Sequence, residues 1–192
     1  MGSKMNGKWI FICGPSGVGK DSVIAWAQQT LLTQTEIVFA RRIVTRDTQA
    51  GSDHDPMTES DFLLLRKNGG LAWHWEAHGF SYGIAQHYAA QVKAGHRVVV
   101  NGSRAHVNTL HRSLSLCQQL LEGLEVVEVV EITADPAKLA TRLQLRGRDS
   151  ATAVTERLTR NGRFTPVNAD CVIANDGALS VAGQRLADYL TT

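Results

Sequence analysis

At 192 residues, 43% hydrophobic and 20% charged, the chain can bury the core of one ordinary globular domain. A net charge of +2 argues against nucleic-acid and membrane partners, and no apolar stretch reaches membrane-spanning length. Cys13, Cys117 and Cys171 are an odd set without metal-ligand spacing; they read as reduced thiols and point to a cytoplasmic setting, while the oligomeric state stays open.

After a short polar leader, Trp9-Ile10-Phe11-Ile12-Cys13 is an apolar run of the kind that forms a buried parallel strand. Gly14-Pro15-Ser16-Gly17-Val18-Gly19-Lys20-Asp21-Ser22 follows at once, with the G-x-x-x-x-G-K spacing of a phosphate-binding loop between strand and helix. Glycines let successive N–H groups point at one anion, which sits at the positive end of the next helix. Lys20 then reaches the outer phosphates as a point charge. All nine residues are expected to line a nucleotide phosphate site. Asp21 stands where a hydroxyl residue usually follows the lysine, with Ser22 one place later.

Helical periodicity runs from Asp21 to about Leu32, and Glu36-Ile37-Val38-Phe39-Ala40 reads as a second strand. Residues 41–57 contain Asp47-Thr48-Gln49-Ala50-Gly51-Ser52-Asp53-His54-Asp55-Pro56, a polar, turn-rich loop of a length usually functional or disordered. Thr58 opens a helix that ends by Asn68-Gly69-Gly70, and residues 71–84 form two short strands around His78-Gly79. A helix to Ala94 precedes the core strand Arg97-Val98-Val99-Val100-Asn101, and a further helix spans about 103–119. Residues 125–133 form a strand, and Asp135-Pro136 opens a helix in the favoured cap-then-proline order. That helix runs towards Arg146; Gly147 interrupts it, and a basic helix continues to about Arg163. Asp170-Cys171-Val172-Ile173-Ala174 is the last strand, and residues 179–190 the last helix. Strands alternating with helices imply an α/β fold with a parallel sheet covered on both faces.

Most of the 20 basic residues are arginine, concentrated in residues 41–46 and 142–163. Arginine suits sites that grip phosphate through paired N–H donors, so two such clusters in a phosphate-binding chain favour an anionic substrate.

Several motifs occur in a known order: the phosphate loop, Val44-Thr45-Arg46, Phe80-Ser81-Tyr82-Gly83, Arg146-Gly147-Arg148, and residues 170–176. In this the chain resembles, over nearly its whole length, the guanylate kinase-like family of P-loop NTPase folds. The resemblance implies a single domain over residues 1–192 with three parts. A core would take residues 8–41 and 95–192, an acceptor-binding subdomain residues 42–94, and an arginine-bearing lid residues 142–163. ATP and Mg²⁺ are the implied cofactors.

Departures from that family bear on the acceptor. A second arginine expected three residues after the Thr-Arg motif is Gln49, and the tyrosine that grips the nucleotide phosphate aligns with His54. The guanine-reading glutamate and serine align with Trp73 and Ile84. A buried donor left unpaired costs about 1–3 kcal/mol, so these losses disfavour GMP, although Glu76 lies close enough to substitute. A narrower resemblance, carried by Gly19-Lys20-Asp21-Ser22, Val44-Thr45-Arg46-Asp47, Phe80-Ser81-Tyr82-Gly83 and Asn101-Gly102-Ser103-Arg104, is to the ribose 1,5-bisphosphate phosphokinases. It implies transfer of the ATP γ-phosphoryl to the 1-phosphate of ribose 1,5-bisphosphate, giving 5-phosphoribosyl 1-diphosphate in phosphonate catabolism. An acceptor with two phosphates and no base calls for arginines and hydroxyls rather than a base-reading carboxylate.

The roles that follow are expectations. Lys20 holds the β- and γ-phosphates; Arg146 and Arg148 are the lid cations, with Arg142 and Arg157 behind them. Arg42, Arg46 and Tyr82 face the acceptor phosphates, with His54 and Arg104 in support. Asp21 with Ser22 would meet the metal, because Asn101 replaces the family's strand-end aspartate; alternatively Asp21 only complements the helix dipole. Asn175-Asp176-Gly177 lies where the resemblance places the adenine, although a strand-end turn also favours that sequence. Trp73 and Trp75 read as core aromatics, with base stacking the alternative. Two other functions stay open, a nucleoside monophosphate kinase and a non-catalytic guanylate kinase-like binding module. An intact Gly14, Gly19 and Lys20 argue against the second.

Overall fold

The structure, a computed structural model, describes residues 7–48, 53–117, 126–145, 159 and 166–192. Five parallel strands form the main sheet in the order β2-β7-β1-β8-β9: Ile37–Ala40, Arg97–Asn101, Lys8–Cys13, Val126–Thr133 and Cys171–Ala174. Around it lie helices α1 (Lys20–Thr30), α3 (His87–Lys93), α4 (Arg104–Cys117), α5 (Pro136–Leu145) and α6 (Leu179–Thr191). Alternate residues of a strand point to opposite faces, and the central strand shows the consequence. Ile10 and Ile12 pack with Val23 and Ala27 of α1, Leu139 of α5 and Leu186 and Leu190 of α6. Trp9, Phe11 and Cys13 enter a second core with Val107 and Leu110 of α4 and Ala89 and Val92 of α3. Both faces of β1 are thus dry, which is why its sequence is continuously apolar.

That second core also takes in Val44, Trp75, Tyr82 and Ile84 from a smaller, four-stranded sheet ordered β4-β3-β6-β5. Its strands are His54–Pro56, Arg42–Val44, Phe80–Ala85 and Leu71–Ala77, and α2 (Glu59–Lys67) stands between β4 and β5 in the chain. β5 and β6 form the expected hairpin, turning at His78 and Gly79, both at positive φ as a tight hairpin turn requires. Strand β4 corrects the reading of residues 47–56 as loop throughout, and β3 is a strand that the sequence did not signal. Each is three residues long, too short for a periodic signal, and each depends on a partner distant in sequence. Trp73 makes edge contacts with Trp9 at 5.8 Å and Phe11 at 5.5 Å, while Trp75 stacks on Tyr82 and His106, so both indoles are core.

Two anticipated caps are present. Asp61 donates its N–H to Thr58 Oγ1 at 3.2 Å, and Ala137 donates its N–H to Asp135 Oδ1 at 2.9 Å, opening α2 and α5. No helix among the described residues is long and apolar enough to cross a membrane. Arg146, Arg148 and Arg157 lie outside the described residues, as does all but residue 159 of the basic helix expected after Gly147.

Candidate active site

β1 ends at Cys13, beside Glu131 of β8, and the chain turns directly into the phosphate loop. Gly14 leaves no room for a side chain: a β-carbon there would lie 2.3 Å from the Ile132 carbonyl oxygen. Gly19 caps α1 with φ +86°, in the left-handed region that glycine adopts without cost. The loop is braced from one side. Asn175 Nδ2 donates to the Val18 carbonyl at 2.8 Å, Arg142 Nη1 donates to the same oxygen at 3.3 Å, and Arg142 Nη2 donates to the Asn175 carbonyl at 2.8 Å. In a trans peptide the N–H opposes the C=O, so tying back the Val18 carbonyl aims the Gly19 N–H away from the brace. Asn175 and Arg142 therefore preset the loop. Asp176 lies on this side too, its carboxylate accepting from the Asp135 N–H at 2.7 Å.

Lys20 opens α1, and its ammonium donates to Asn101 Oδ1 at the end of β7, with Asp21 Oδ1 at 3.5 Å. The same Asn101 amide donates from Nδ2 to Asp21 Oδ1 at 2.8 Å and to Asp53 Oδ2 at 2.9 Å. Asp53 in turn accepts from Arg42 Nη2, and Arg42 Nη1 donates to the Asn101 backbone carbonyl at 3.3 Å. One buried asparagine, through its side-chain amide and its backbone carbonyl, thus joins two cations and two carboxylates. Burial pulls the Lys20 pKa down, and Asp21 acts against that shift. Burial alone would raise the pKa of Asp21, but Lys20, the Asn101 amide and Arg42 outweigh it and hold the carboxyl below its ordinary value. Asp53 is held low in the same way, chiefly by Arg42. The side chain of Asp21 turns to Asn101, and the helix cap is Gly19, without a side-chain cap bond.

The remaining sequence candidates fall in different places. Tyr82 is buried with its ring beneath the Arg42 guanidinium, 5.9 Å from carbon Cζ to centroid. His54 is 1% exposed; its Nε2 lies 3.1 Å from the Arg46 carbonyl oxygen, so it supports the Arg46 backbone from inside the small sheet. Arg46 lies over the Phe80 ring and lines a cavity of about 320 Å³ with Thr45, Asp47, Pro56, Met57, Thr58 and Glu59. None of the Lys20–Arg42 network lines that cavity. Arg104 starts α4, its pKa lowered by burial despite the nearby Glu131 carboxylate. Cys13 is a free thiol, pushed up to about 12 by burial and by Glu131, and is chemically inert. Ser22 is exposed on the first turn of α1.

Sequence reasoning did not find Asp53 or the bracing role of Asn175. Asp53 sits in a polar stretch with no motif around it, and only the β3–β4 pairing brings it to Arg42.

No protein-family profile matches the chain. It is 41% identical over 188 residues to a ribose 1,5-bisphosphate phosphokinase of Laribacter hongkongensis, covering 97% of this chain but 43% of the relative. With the same-named protein of Janthinobacterium sp. it shares 38% identity and spans 39% of the relative, so the chain covers about two fifths of these longer proteins. A third of that name, from Acidiphilium cryptum, is 38% identical over 185 residues, covering 96% of this chain and 93% of the relative. Among solved structures, guanylate kinase from Anaplasma phagocytophilum superposes with a TM-score of 0.63 at 19% identity, over 97% of this chain and 86% of that one, which establishes the guanylate kinase-like fold.

Proposed function

The chain belongs to the ribose 1,5-bisphosphate phosphokinase family, and from that membership we propose that it transfers the γ-phosphoryl group of ATP to the 1-phosphate of ribose 1,5-bisphosphate, giving 5-phosphoribosyl 1-diphosphate and ADP. The observation that carries this reading is the bridge at Asn101. Its side-chain oxygen takes the phosphate-loop cation Lys20 and its backbone carbonyl takes Arg42, a cation of the small sheet, so one residue sets the two side by side. A phosphoryl group passing between two phosphates needs cations on both sides of the transferred atom.

The acceptor phosphate is already a nucleophile, so the protein's task is to position it and neutralise charge. One acceptor oxygen bonds to the γ-phosphorus as the bond from that phosphorus to the β–γ bridging oxygen breaks, and the electron pair leaves on ADP. The loop amides and Lys20 hold the donor phosphates, with the loop shape preset by Asn175 and Arg142. Arg42, packed on Tyr82, takes the reacting acceptor phosphate, and Arg46 is suited to the other from its cavity beside Thr45 and Thr58. Arg146 and Arg148 remain our proposed lid cations, with Arg157 behind them; Arg104 and His54 serve as supports.

Asp21 and Ser22 are the hard oxygen donors that magnesium takes, and the ionised Asp21 carboxylate fits such an ion. When bound, the ion supplies charge neutralisation on the phosphates. The substrate class is a phosphorylated sugar, and the free thiols Cys13 and Cys171 support a reducing, cytoplasmic setting.

A paired assay with ATP and Mg²⁺ tests the reading, one arm offering ribose 1,5-bisphosphate and the other GMP, with products followed by phosphorus NMR. A new diphosphate in the ribose arm alone is the expected result. GDP alone would overturn the substrate assignment, and turnover in neither arm would reject both acceptors.

A further inference from the structure

Arg42 and Asp53 are unequal partners. The Arg42 side chain is 13% exposed, whereas that of Asp53 is 47% exposed. Arg42 is also held without Asp53, by the Asn101 carbonyl and by the Tyr82 ring beneath it. A carboxylate on a guanidinium presents the same pair of anionic oxygens that a phosphate monoester presents. We propose that Asp53 stands in for the acceptor phosphate on Arg42 when no acceptor is bound, and is displaced by it.

The inference rests on reading Arg42 as an acceptor-phosphate ligand. Lys20 and Arg42 are two cations held on one residue, by the side-chain oxygen and the backbone carbonyl of Asn101, and without Asp21 and Asp53 their mutual repulsion would go uncompensated. An arriving dianion takes over that compensation. The exposure difference decides which partner moves, because Asp53 regains water by turning outward while Arg42 has no such route. Its departure also frees one N–H of Asn101, which can then donate to the incoming phosphate. Asp53 is therefore a positioning residue that sets a threshold: weak anions do not displace it, and a well-seated phosphate does.

Asp53→Asn keeps the shape and an oxygen for Arg42 but removes the competing charge, and Asp53→Ser is a second variant should the first fold poorly. The phosphate loop is filled with a non-hydrolysable ATP analogue and Mg²⁺, and the protein is titrated by calorimetry with ribose 1,5-bisphosphate and, separately, with inorganic phosphate. Both ligands are expected to bind the variant roughly tenfold more tightly than wild type, which is about 1.4 kcal/mol. The gain should vanish when Arg42→Gln is added. Unchanged, weaker or undetectable phosphate binding in the variants overturns the proposal, as does a gain that survives the loss of Arg42. So does a fall in affinity for the ATP analogue without tighter phosphate binding, which would place Asp53 in the nucleotide site. If inorganic phosphate shows the gain while ribose 1,5-bisphosphate binds neither protein, the role of Asp53 stands and the substrate assignment fails.

Discussion

His106 is a side chain whose chemistry is set wholly by its surroundings. It stacks on Trp75 with ring centroids 4.5 Å apart, meets Phe11 edge-on at 5.5 Å, and is 8% exposed. Burial, with a smaller push from His74, lowers its pKa to about 4. The unfolded chain takes up this proton near pH 6.5, so the folded state binds fewer protons between about pH 6.5 and pH 4. This contribution to stability is complete above pH 6.5, falls as the pH drops towards 4, and is constant below that, a total of up to about 3 kcal/mol. His106→Phe keeps the stack and removes the titration. Denaturant unfolding of this variant should therefore lose less stability than wild type across that interval. Nothing around His106 in the chain marks it, since its apolar neighbours come from β1 and β5. Lys20 is the opposite case, legible from seven residues of local spacing.

The phosphate loop is an element whose shape depends on contacts far away in the chain. Its glycines and its place after β1 are local properties, but the Val18 carbonyl is held by Asn175 and Arg142, from the end of β9 and from α5. Asn175→Ala removes one of these donors and the Arg142 brace loses the packing beside it. We expect a stability loss of about 1–2 kcal/mol by denaturant unfolding. In steady-state assays the KM for ATP should rise several-fold, with kcat changing less, because the residue shapes the ground-state cradle. Strands β3 and β4 make the same point in the small sheet. His54 of β4 is almost wholly buried although residues 47–56 read as polar and turn-rich.

For the whole molecule, the two sheets share one core across β1, and the charged network at Asn101 closes over its end. A ligand that replaces the internal counter-ions should therefore stabilise the entire fold. At a hundredfold excess over its Kd, MgATP contributes about 2.7 kcal/mol, which for a chain of this size raises Tm by roughly 5–10 °C. Lys20→Ala should abolish most of that shift in differential scanning calorimetry while leaving the ligand-free Tm within a few degrees of wild type. A full shift in the variant would show that Lys20 does not hold the nucleotide.

Sequence alone determined what rests on short-range patterns. The central strand is continuously apolar because both faces of the sheet are covered, helices α2 and α5 carry their caps, and the phosphate loop needs glycine and lysine at set intervals. Tertiary structure decided what those patterns cannot encode: which carboxylate answers Arg42, which asparagine links the two cations, and which side chains hold the loop. Those choices join residues up to 157 positions apart. A hydrogen bond across such a distance leaves no period in the sequence, because its partners meet only once the sheet order and the packing of β3 and β4 bring them together.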